Sequence, residues 1–175
     1  MKYELIHDED CECPLDKNDP VKITYWHRAR TILGIESVDE ERMEELNRLR
    51  KAGTIIAVPV WAYVHSDVTL KAAETNPFTC PWDSGQSGIV YIDKHKALVE
   101  YQWKRMSPHR LDTVRQRLKA TVDEFSKWLQ GDCWGYRILD DDGTEVASCW
   151  GFIGREYAEE QAKEEMKRWE ECSQT

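Results

Sequence analysis

Thr54-Ile55-Ile56-Ala57-Val58-Pro59-Val60-Trp61-Ala62-Tyr63-Val64 is the most apolar run of the chain. β-Branched and aromatic residues dominate it, and these suit the pleated surface of a sheet better than the crowded turn of a helix. The run predicts a strand at the centre of a sheet. Pro59 has no N–H for a ladder, so a bulge or kink is expected there. The strand ends at His65-Ser66-Asp67, and a polar connection leads to Asn76-Pro77.

C-terminal to this run, Ile89-Val90-Tyr91-Ile92 predicts a short neighbouring strand. Before it stands Pro81-Trp82-Asp83-Ser84-Gly85-Gln86-Ser87-Gly88. Its two glycines, acid, hydroxyl and amide read as a rigid polar turn at the sheet's edge, with the glycines there for backbone geometry. Asp93 is expected to cap a helix running from about Lys94 to Lys104. Ser107-Pro108 then signals a second helix, with a hydroxyl cap and proline at the first helical position. Leu111, Val114, Leu118, Val122, Phe125 and Leu129 recur every three or four residues along it, and Gly131 ends it.

N-terminal to the apolar run, Ser37-Val38-Asp39-Glu40 has the spacing of a capping box. The helix it opens turns Val38, Met43, Leu46 and Leu49 inward and stops at Gly53. Further upstream, Val21 to His27 alternates as a half-buried strand, Asp8 to Asp19 is an acidic exposed loop, and Tyr3 to Ile6 is a short strand. Near the other end, Asp142-Gly143 is a hairpin signal. A two-residue turn there sets Leu139 opposite Val146, Tyr136 opposite Cys149, Gly135 opposite Trp150 and Trp134 opposite Gly151. Each glycine would then be covered by an indole. A last helix from Arg155 to Cys172 is expected to turn Tyr157, Ala158, Ala162, Met166 and Trp169 inward. The sum is a single α+β domain over residues 1–175: an antiparallel sheet of four to six strands with three or four helices packed on it.

The formal net charge of −9 suits solubility, or an acidic face that fits a basic groove on another protein. Direct nucleic-acid binding is disfavoured, because phosphates need a basic footprint. The one basic cluster lies in residues 93–119, which hold eight Lys and Arg against three Asp and Glu. No apolar run reaches the roughly 20 residues that cross a bilayer. The N-terminus also lacks the basic and apolar regions of a secretory signal, so the sequence implies a cytosolic protein. Six cysteines at 11, 13, 80, 133, 149 and 172 do not form the two close pairs of a zinc site. Cys11-x-Cys13 would place two thiols on one face of an extended segment, but no metal or cofactor is implied.

No standard catalytic motif is present. The best constellation is His65, Ser66 and Asp67 together with Asp83, Ser84 and Gln86. If the two strands are neighbours, these groups meet at one sheet edge, where His65, Asp83 and Ser84 would supply a base, an orienting carboxylate and a nucleophile. The plainer reading is that such residues bond nearby backbone in turns. Most tryptophans fall at inward positions. Trp82 and Trp103 fit the apolar pattern least and are candidate anchors for a partner, beside Lys104 and Arg105.

Trp82-Asp83-Ser84-Gly85-Gln86-Ser87-Gly88, with Tyr63-x-His65-Ser66 before it and Gly131-x-x-x-Gly135-Tyr136 and Ser148-Cys149-Trp150-Gly151 after it, resembles a family of small proteins. That family is carried by phages, plasmids and integrated elements of Gram-positive gut bacteria. The resemblance covers roughly residues 55 to 155. The chain departs from it at Asp67, where the family has glycine. The resemblance implies a genomic setting and no mechanism. In that setting, a small acidic protein without catalytic motifs is expected to bind and block a host protein, such as a defence nuclease or its guide complex. The alternative is a small hydrolase or nucleotide-binding protein using loop 82–88 with His65. The 93–119 cluster would then hold the anion.

Overall fold

The computed structural model describes residues 1–26 and 35–173, so His27 of the first predicted long strand lies outside it. The elements are, in order, β1 (Lys2–His7), β2 (Lys22–Tyr25), β3 (Glu36–Ser37), α1 (Glu40–Ala52), β4 (Ile55–Val64), β5 (Val68–Ala72), β6 (Ser84–Asp93), α2 (Lys94–Glu100), α3 (Pro108–Leu129), β7 (Cys133–Leu139), β8 (Glu145–Ile153) and α4 (Arg155–Ser173). The α+β class follows. The strands divide between two sheets, and the chain divides into two compact units.

The unit from Leu15 to Ser126 holds the sheet β3-β2-β6-β4-β5. Strands β2, β6, β4 and β5 are antiparallel, and two-residue β3 pairs parallel to β2. The apolar run is interior as expected, between β6 and β5, and Val58 and Val60 are buried on it. Met43 and Leu46 of α1, with Val38 just ahead of the helix, cluster with Ile55, Ala57 and Ile89. Its cap is not Ser37, which lies in β3. The Asp39 carboxylate accepts the Arg42 N–H at 2.8 Å instead. Val38, just before this cap, joins Met43 four residues after it in a hydrophobic staple, which fixes how the chain enters the helix. Gly53 closes α1 at φ 71° and donates to the Arg50 carbonyl.

Pro59 is accommodated by a substitution of donors. The Ala73 N–H donates to the Pro59 carbonyl at 3.0 Å. The return bond would come from the N–H that proline lacks. Trp61 Nε1 supplies it, donating to the Ala73 carbonyl at 3.0 Å. The irregularity expected at Pro59 falls one residue further on. Val60 faces Gly88 while Trp61 faces Gln86, so Ser87 is an extra residue on β6. Its hydroxyl is buried and donates to the Val60 carbonyl at 3.3 Å.

Two expectations change here. The predicted polar turn 81–88 is half strand, because β6 begins at Ser84 and lies between β2 and β4. The polar connection after Asp67 contains β5, which forms a hairpin with β4 around His65-Ser66-Asp67. Gly88 explains why the strand is hard to see in sequence. A Cβ there would lie 1.8 Å from the Thr24 carbonyl oxygen, so glycine allows β2 to approach. α2 is shorter than expected and ends at Glu100 rather than Lys104. α3 follows the reading closely. Ser107 Oγ accepts the Arg110 N–H, and Val114, Leu118, Val122 and Phe125 are fully buried.

The second unit combines Met1–Pro14 with Lys127–Thr175. Its sheet is β1-β7-β8, antiparallel, with α4 packed on it through Ala162 and Met166 against Tyr136 and Ile138. The predicted hairpin register holds at Tyr136↔Cys149 and the next two pairs. It slips on either side: Leu139 faces Glu145 rather than Val146, and Trp134 faces Phe152 rather than Gly151. The turn is longer than two residues because the Asp140 carboxylate binds the N–H groups of Asp142 and Thr144. On α4, Ala158 and Ala162 are buried as expected, but Tyr157 and Trp169 are exposed.

Candidate functional site

Loop 76–84 enters β6 and is held by its own polar side chains. Asn76 Oδ1 accepts the Phe78 N–H at 3.0 Å, and Asn76 Nδ2 donates to Ser84 Oγ at 2.9 Å. Ser84 Oγ in turn donates to the Cys80 carbonyl. The Cys80 thiol reaches Asp83 Oδ2 at 3.4 Å, and the Asp83 carbonyl accepts the Val64 N–H at 2.8 Å. Phe78 lies against Tyr63 of β4 with ring centroids 5.6 Å apart. At the head of this pinned loop Trp82 is 93% exposed. An indole that open to water, on a loop with so many internal bonds, is held out by the structure rather than left over from it.

β4 and β6 are neighbours, so the hairpin tip His65-Ser66-Asp67 and the Asp83 end of the loop do meet at one end of the sheet. The catalytic geometry does not follow. The Ser84 hydroxyl is directed at the Cys80 carbonyl, and no hydrogen bond joins it to His65 or Asp83 among the described residues. The Ser66 hydroxyl turns to Asp67 at 3.5 Å. Asp83 and Ser84 thus serve to shape the loop that carries Trp82. Gln86 lies exposed in β6 beside the bulge.

Trp103 is placed differently from Trp82. One face stacks on Tyr101 at 4.4 Å and 14°, and the Arg110 guanidinium lies 5.1 Å over its ring. Arg117 covers Tyr101 in turn and is bound to Glu100 and Asp19. The indole that looked free in sequence is therefore a layer in a cation–aromatic stack that braces the α2–α3 connection. Lys104 and Arg105 are exposed beside it, and the Arg105 carbonyl accepts from Arg110 Nη1.

The unit that holds both termini contains a concavity of about 830 Å³, with His7 to Glu12 on one side and Trp150-Gly151 on the other. The loop is anchored: the Asp8 N–H donates to the Cys133 carbonyl, Asp8 Oδ2 accepts the Gly151 N–H, and Trp128 Nε1 donates to the Cys11 carbonyl. Glu9, Asp10 and Glu12 are exposed. Burial pushes the Cys133 thiol up to about 12, with the Cys11 thiol and the carboxylates of Asp8 and Asp132 acting in the same direction. Among the described residues no group of three or more His, Cys, Asp or Glu side chains is arranged to hold a metal ion. The acidic loop was visible in sequence. The groove was not, because its other wall comes from Trp150, more than 130 residues away. No described helix is long and apolar enough to cross a membrane.

No protein-family model, curated protein or solved structure matches the chain.

Proposed function

We propose that the protein is an interaction protein of a mobile element that binds and blocks a host protein, of the kind that inhibits CRISPR or restriction nucleases. The observation that carries this reading is Trp82, 93% exposed at the head of a loop pinned through Asn76, Cys80 and Ser84. An aromatic side chain pre-set in this way loses little conformational freedom on binding and brings a large apolar area to an interface. The charge of −9 adds to it, because a nuclease groove that accepts nucleic acid is basic. Asp83, the next residue in the chain and exposed, adds a carboxylate to the same loop.

The test is titration of the purified protein into cleavage reactions run by host guide-directed and restriction nucleases. Inhibition is expected, with loss of most of it in Trp82→Ala and partial loss in Asp83→Asn. Full cleavage at saturating protein in every reaction overturns the function. Equal inhibition by Trp82→Ala overturns the assignment of the surface.

A further inference from the structure

Exposed sheet edges present unpaired N–H and C=O groups, and proteins usually blunt them. Most edges here are blunted. β3 is only two residues long. β5 has its Leu70 N–H capped by Ser126 Oγ of α3 at 2.8 Å and carries Lys71. β1 carries Lys2 and Glu4. β8 is the least blunted: it is an edge strand charged only at its first residue, Glu145, and Ser148 to Trp150 are exposed, although the Gly151 N–H is already taken by Asp8 Oδ2. At its C-terminal end stands the concavity walled by Trp150 and the carboxylate-bearing loop.

We propose that β8 is the docking edge for an extended segment of a partner protein bearing lysine or arginine. The segment adds to the sheet as a further strand and sets its cations against Glu9, Asp10 and Glu12. The open edge accounts for the backbone of such a segment, and half-exposed Trp150 offers an apolar and cation-accepting surface. The carboxylates account for its charge. A second copy of this chain fits the edge less well. Antiparallel self-pairing would bring the Asp140-Asp141-Asp142 turn of one copy towards the Asp8–Glu12 loop of the other, and parallel pairing would bring the two acidic loops together. Like charges oppose both. This surface is formed by residues other than those of the Trp82 loop, and either assignment stands if the other fails.

The probe is a nonapeptide alternating valine with lysine, with a counterpart carrying glutamate in place of lysine. On the full chain, the lysine peptide is expected to slow hydrogen exchange in residues 145–151. Its affinity should fall about tenfold in the E9Q/D10N/E12Q variant and fall further with added salt. The glutamate peptide should not bind. Unchanged exchange in 145–151 overturns the proposal, as does undiminished affinity in the neutralised variant with its melting temperature unaltered. Protection of β8 that rises with protein concentration and needs no peptide also overturns it, because the occupant is then a second copy.

Discussion

The indole of Trp150 occupies the place where a side chain on Gly135 would stand. A Cβ built on Gly135 would lie 2.2 Å from Trp150 Cε3, across the β7–β8 pair. Gly135→Ala should therefore displace the ring and cost about 2–3 kcal/mol, as overpacking does. Trp150→Ala should uncover the bare backbone of β7 and cost about 1 kcal/mol. In the double variant the alanine at 135 no longer meets a ring, so the losses should fall short of their sum in denaturant unfolding. Strict additivity would show that the contact carries no energy.

The two glycines of the 81–88 stretch have different duties. Gly88→Ala drives a Cβ to within 1.8 Å of the Thr24 carbonyl, which the β2–β6 ladder cannot absorb. A loss above about 3 kcal/mol is expected, or failure to fold. A Cβ on Gly85 would meet nothing within 4 Å, so Gly85→Ala should change stability by less than about 1 kcal/mol. Thermal melts of the two variants side by side decide it, and similar melting temperatures would refute the distinction.

Trp61 should be needed for its indole N–H. Trp61→Phe keeps a ring but leaves the Ala73 carbonyl without the donor that stands in for Pro59. The expected cost is about 1–2 kcal/mol. Pro59→Ala restores a backbone N–H at that site, and combining it with Trp61→Phe should recover part of the loss. No recovery in the double variant would mean that the two donors are not interchangeable.

Alkaline pH should unfold the protein through Cys133. Burial raises its thiol to about 12 from the ordinary 9.0, so between these values the folded chain holds a proton that the unfolded chain releases. The unfolded state then binds fewer protons and stability falls as pH rises. Burial also raises the Tyr136 hydroxyl, which works in the same sense. Melting temperatures should decline from pH 9 towards pH 12, and Cys133→Ala should flatten that decline. An identical decline in the variant would assign it to other groups.

Thiol alkylation gives an independent check on the same burial. Cys149 is exposed and Cys133 is buried. Under native conditions at pH 8, mass mapping after brief iodoacetamide treatment should find Cys149 modified and Cys133 intact. Early modification of Cys133 would contradict its placement.

Local chemistry was legible in the chain. The spacing from Val114 to Phe125 names the buried face of α3. Ser107-Pro108 names its start, Gly53 names the end of α1, and the apolar run from Ile55 names an interior strand. Each depends on a period or a cap that a few neighbouring residues fix by themselves. The errors share a cause. Ser37 and Asp39 both fit a cap, and only the pairing of Ser37 in β3 decides between them. Trp82 and Trp103 look alike in sequence, but Arg110, seven residues past Trp103, covers that ring while Trp82 is 93% exposed.

What the sequence by itself determined is which segments are helical, which are apolar enough to be interior strands, and that the chain is α+β; β3 and β5 were not among its elements. Only the tertiary structure decided that there are two sheets, that the Ser84–Gly88 stretch is strand rather than turn, and which indole stands free. Period and capping are set within a turn or two of backbone. The close approach of Thr24 to Gly88, the bulge at Ser87 and the groove between Trp150 and Glu12 depend on segments distant in the chain, and no local pattern encodes them.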